Sequence, residues 1–121
     1  MNTRDKGLKY LEDCLGKLPT EHITVSKYYF SNESWTQSPI WWFDIPLNRL
    51  ESPNEFVHII CLKIGEGFFY LCVPTEYFTL NFKNFYSNDK KITLYISAQE
   101  DNKFQDLKGP GSMSFSNWLQ D

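Results

Sequence analysis

Glu21, Lys27 and Asp44 are of the types from which a metal-dependent nuclease centre is built. Two carboxylates can hold Mg2+, and a lysine beside them can orient the attacking water. Such centres commonly place an acid two residues before the lysine, because strand residues two apart share a face. Here that position is Val25, which cannot bind a metal. Glu21 has the right parity but stands about 20 Å from Lys27 along an extended strand at roughly 3.3 Å per residue. Asp44 reaches Lys27 only if their two strands pair. The competing expectation makes Lys27 a solvated strand residue and Asp44 a strand-end acid.

A second candidate is an aromatic recognition surface. Tyr28, Tyr29, Trp35, Trp41 and Trp42 fall within 15 residues of one another. Trp41 and Trp42 point to opposite faces of a strand, so both are buried only if both faces are covered. Trp35 sits in the polar run Ser-Asn-Glu-Ser-Trp-Thr-Gln-Ser (31–38), where no periodicity assigns it to a core. Exposed Trp and Tyr are enriched at interface hot spots. A core role for Trp41 or Trp42, with Trp35 folded back as a plug, is the structural alternative.

Other chemistry is poorly supplied. His58 and Cys61 are an odd number of positions apart and face opposite ways on one strand, against a Cys–His pair there; Cys14 with His22 is the other such combination. Two His and three scattered Cys give little material for a zinc site. Gly65-Glu66-Gly67 joins strand to strand without the helix that phosphate binding needs.

The elements that must position these residues follow from periodicity. Leu8, Leu11, Leu15 and Leu18 mark one face of a helix over 4–18, with Thr3 as its cap, ended by Pro19. Residues 21–30 and 39–46 have strand composition. Residues 55–63 and 68–73 are apolar on nearly all positions and joined by a Gly-containing turn, which predicts a central antiparallel hairpin. Thr75 opens a helix over about 75–86 carrying Phe78, Phe82 and Phe85 on one face. Residues 92–97 alternate strictly, as a half-exposed strand does. Residues 98–112 form a loop, and Phe115, Trp118 and Leu119 anchor a short C-terminal helix. The expectation is one α+β domain over 1–121, built on a mostly antiparallel sheet of about five strands.

In order, the run WWFDIP (Trp41 to Pro46), an apolar hairpin, FFYLCVP (Phe68 to Pro74) and a helix from Thr75 resemble the later part of restriction-endonuclease-like proteins of the PD-(D/E)XK superfamily. The resemblance covers residues 23–80 and implies a nuclease-like fold with Val25-Ser26-Lys27 near the lysine strand. The acid two before Lys27 is missing, and only a helix and a turn precede residue 21. A catalytically incomplete copy is what the resemblance implies.

The chain has 121 residues, 21 of them aromatic, and 12 basic against 15 acidic residues, a net charge of −3. That is enough ring surface for a small domain to fold alone. It is too apolar for a disordered tail and contains no run of about 18 apolar residues that could span a membrane. The charge argues against nucleic acid held by bulk electrostatics. Without an apolar leader and with unpaired-looking cysteines, the expected location is cytoplasmic. Together these readings point to a small non-enzymatic protein that engages a protein partner through segment 28–42, its acidity suiting a basic partner. The alternatives are a metal-dependent nuclease or degenerate nuclease-like domain, for which alone Mg2+ would be a cofactor, and a self-associating structural protein whose strand 92–97 pairs across a two-fold axis.

Overall fold

A computed structural model describes residues 2–30 and 38–120. The fold is α+β. Helix α1 spans Thr3–Leu15. Its cap is Asn2, one residue earlier than expected, whose side chain accepts a hydrogen bond from the Asp5 amide at 2.8 Å. Gly16, at φ +85°, closes the helix in the left-handed conformation that glycine adopts without strain.

The strands form two four-stranded sheets rather than one of about five. The first has the order β1-β4-β5-β8, with β1 at Ile23–Ser26, β4 at Phe56–Leu62, β5 at Phe68–Pro74 and β8 at Leu119–Gln120. The second has the order β2-β3-β7-β6, with β2 at Tyr28–Tyr29, β3 at Ile40–Pro46, β6 at Tyr86–Ser87 and β7 at Lys91–Ser97. Pairing is antiparallel except between β1 and β4, where Ile23 lies beside His58 in parallel register. The expected hairpin is present as β4–β5, with Val57 opposite Val73 and Ile59 opposite Leu71. Gly65 and Gly67 both have positive φ in its turn.

The single strand expected over 21–30 divides at Lys27, so one segment serves both sheets. The corner is fixed by Ser26, whose hydroxyl donates to the Lys27 carbonyl and accepts from the Trp42 amide at 2.9 Å. Alternation then sorts the side chains. Trp41, Phe43 and Ile45 meet Val57, Ile59, Cys61, Leu71 and Val73 in the core between the sheets. His58, Ile60, Phe68 and Tyr70 face the other way, and α1 covers them.

Helix α1 lies on β1 through Gly7, where a Cβ would come within 2.6 Å of a Val25 methyl. Leu11 is fully buried there, but Leu15 and Leu18 are exposed, so the leucine face is only half used. Helix α2 ends at Leu80 instead of continuing to 86. A 3-10 turn at Phe82–Asn84 follows, and Phe85 reaches the core from extended backbone, while Phe82 is exposed. The expected C-terminal helix is a 3-10 turn, Ser116–Trp118, leading into β8. Strand β7 is not an open edge. It pairs with β3 on one side, and with β6 and the 104–107 segment on the other. Its polar positions Thr93 and Ser97 are buried, which removes the basis for dimerisation through 92–97. No described helix is long and apolar enough to cross a membrane.

Candidate partner-binding surface

Of the five aromatic candidates, four fall within the described residues, and the structure divides them between two faces. Trp35 lies in segment 31–37, outside the described residues. Trp41 is only 1 % exposed; its ring contacts Tyr28, Phe69 and Phe104, and its indole N–H donates to the Leu62 carbonyl at 2.8 Å. Trp42, the next residue, is 37 % exposed on the outer face of the second sheet. There it meets Tyr29 at 6.4 Å and Tyr95 at 5.7 Å between ring centroids, giving a row of rings across β2, β3 and β7. Lysines stand over both ends of this row: Lys27 is 5.0 Å from the Tyr29 ring, and Lys108 is 5.0 Å from Tyr95 and 4.4 Å from the exposed Tyr86. Cation–π contact of this kind orders a surface ring and holds positive charge beside it.

Tyr28 and Trp41 line a cleft of about 260 Å³ at the open end of the sandwich. Phe69, Lys63 and Ile64 close it from the β4–β5 hairpin, and Ala98, Glu100 and Lys103 from the segment after β7. Lys63 and Lys103 both lie over the Phe69 ring, at 4.6 and 4.7 Å from its centroid. Lys103 also meets Glu100 at 3.3 Å, an exposed pair of small energetic weight. Sequence reasoning located Tyr28 and Trp41 but missed Phe69, Lys63 and Lys103, which come from segments remote in the chain. The apolar run of β5 marked Phe69 as core, and no spacing tied the lysines to it. A second depression, about 460 Å³, lies between α1 and the hairpin turn; its Lys9 is already paired with Asp13 at 2.9 Å.

The nuclease candidates are held by different partners. Glu21 accepts from the Phe56 amide at 2.9 Å and meets His58 Nε2 at 2.9 Å. Asp44 accepts from the Thr93 hydroxyl at 2.7 Å and lies 3.3 Å from the Lys91 ammonium. Lys27 rests on Tyr29. No group of three or more His, Cys, Asp or Glu side chains able to hold a metal occurs among the described residues.

His58 is a satisfied core histidine. With Nε2 donating to Glu21, Nδ1 accepts from the Tyr70 hydroxyl at 2.6 Å. Burial pushes the Tyr70 hydroxyl well above its usual range, and pushes the Cys61 and Cys72 thiols up as well. The thiolate is the nucleophile, so raised thiols are poor catalysts. His22 differs from His58: its Nε2 is buried without a hydrogen-bond partner. Burial, then the positive charge of Arg49, lower its pKa. The described residues thus bring aromatic rings and lysines together at the surface, and burial disfavours the thiolates of Cys61 and Cys72. Compared with family models, with curated proteins and with solved structures, the chain matches none.

Proposed function

We propose that this is a non-enzymatic binding protein that engages a protein partner through the aromatic surface of segment 28–42. The observation that carries this reading is Trp42: a large ring exposed at the middle of a sheet, flanked by Tyr29 and Tyr95, with lysines at both ends of the row. Such rings supply contact area at low conformational cost and dominate interface energetics. The net charge of −3 suits a partner of basic character overall.

The test compares wild type with Trp42→Ala in affinity capture from the native host, after melting curves establish that the variant folds. The expected outcome is a specific protein retained by wild type and lost by the variant. Capture of the same protein by both would overturn the reading, as would the absence of any specific protein. The nuclease alternative requires Mg2+-dependent DNA cleavage abolished by Lys27→Ala. The engagement of Glu21 by His58 and of Asp44 by Thr93 speaks against it.

A further inference from the structure

The cleft combines two features. Its floor is apolar: Tyr28, Trp41 and Phe69 meet edge to face, Trp41 with Tyr28 at 80° and with Phe69 at 74°. Its rim is cationic: the ammonium groups of Lys63 and Lys103 converge on one ring. The ammonium of Lys63 lies 4.6 Å and that of Lys103 4.7 Å from the Phe69 centroid, so an anion entering beside that ring meets positive charge from either lysine. Lys63 has no carboxylate partner among the described residues, and Lys103 has only the exposed Glu100. The cleft therefore concentrates positive charge on a protein whose net charge is −3.

Its size limits the occupant. A cavity of about 260 Å³ lies below the range of about 300–1,000 Å³ usual for small-molecule sites, and suits a single residue. That residue must bring an apolar side chain to the floor and a carboxylate to the rim. In a protein, only the last residue of a chain carries both. We propose that the cleft captures the C-terminal apolar residue of the partner, its side chain against Tyr28, Trp41 and Phe69 and its carboxylate at the rim that Lys63 and Lys103 make cationic. This rests on the binding-protein reading above and adds what the partner must present. Glu100 would then hold Lys103 until the incoming carboxylate replaces it.

The test is NMR titration of the isotope-labelled full chain with three peptides. These are acetyl-Gly-Gly-Phe as the free acid, the same peptide as its C-terminal amide, and acetyl-Phe-Asp-amide, which carries an internal acid. Expected are saturable shifts at Ile64, Ala98 and the Trp41 indole with the free acid only. Lys63→Gln and Lys103→Gln should each weaken binding about tenfold, as loss of a charge-assisted hydrogen bond does. Glu100→Gln should strengthen it about two- to threefold. Equal binding of the amide would show that charge is not read, and equal binding of the internal acid that a chain end is not read. Either result, or the absence of saturable shifts at the cleft, overturns the proposal. None of these outcomes depends on capture by Trp42, so a failed peptide titration beside a Trp42-dependent partner would sink the cleft and leave the wider reading standing.

Discussion

The outer face of the first sheet lies under α1, whereas the outer face of the second carries Trp42, Tyr86 and their neighbours at the protein surface. Both faces place Tyr on strands with the same alternation, Tyr70 on β5 and Tyr95 on β7. Under the helix, Tyr70 is buried and its hydroxyl is satisfied by His58, which is in turn held by Glu21. On the other face, Tyr95 is only partly buried and has the Lys108 ammonium over its ring. One face spends its polar groups on internal satisfaction, and the other presents rings and charge outward. Burial of aromatic surface explains the first. The second leaves part of its ring area at the surface, and the proposed interface rests on that area.

The largest expected effect tests this division within one strand. Trp41→Ala should cost about 3–5 kcal/mol of stability by denaturant titration, the range for large core rings, because Trp41 is 1 % exposed. Leu11→Ala, which removes the buried contact of α1, should cost about 2–5 kcal/mol. Loss of protection from hydrogen exchange should then centre on β1, β4 and β5. If the same loss spread equally over β3 and β7, the two faces would not be separable.

Two pH effects of opposite sign sharpen the contrast further. His22, on the side of the first sheet, has its pKa lowered below 6.5 by burial. Its stabilising contribution is therefore present above pH 6.5 and lost as pH falls through the lowered value, and His22→Phe should flatten that slope in pH-dependent melting. Asp106, bridged to β7, is buried, and burial raises its carboxyl above 3.8 despite hydrogen bonds from the amides of Lys108, Tyr95 and Gly109. Its contribution is present below pH 3.8 and lost as pH rises through the raised value; Asp106→Asn should abolish that change. A smaller effect than that of Trp41→Ala is expected from Trp42→Ala, about 1–3 kcal/mol, since its ring is 37 % exposed but packs against Tyr29 and Tyr95. A loss matching that of Trp41→Ala would erase the distinction between the faces.

The β4–β5 hairpin was legible because its signals are local: two apolar runs and a turn with Gly65 and Gly67. The break at Lys27 was legible only in part. The pattern turns mixed after Val25, which signals a strand leaving the core, but the corner itself depends on Ser26 binding the Trp42 amide of a strand remote in sequence. The spacing of Phe78, Phe82 and Phe85 fitted a helix, but the backbone leaves the helical region at Asn81. In β7, the strict alternation of 92–97 predicts that one face is exposed, yet Thr93 and Ser97 on that face are buried, each with a side-chain partner, Asp44 and Asn102 respectively. Polarity predicts exposure only when no such partner is supplied from elsewhere. The same limit governs the site. Tyr28 and Trp41 belong to one segment and were found together, while Phe69, Lys63 and Lys103 reach the cleft only through tertiary packing.

The parallel pairing of β1 with β4 has a kinetic consequence. An antiparallel hairpin closes a short loop, so β4 and β5 can zip soon after chain collapse. Before Ile23 can meet His58 in parallel register, the chain must close over the whole span containing β2 and β3. That loop entropy must be met before the contacts return it, so docking of β1 and its helix is expected to follow the hairpin. The aromatic row needs a longer closure still, that of β3 on β7, where even the nearest partners, Pro46 and Lys91, are 91 − 46 = 45 positions apart, so it would reach its final spacing only when folding is nearly complete.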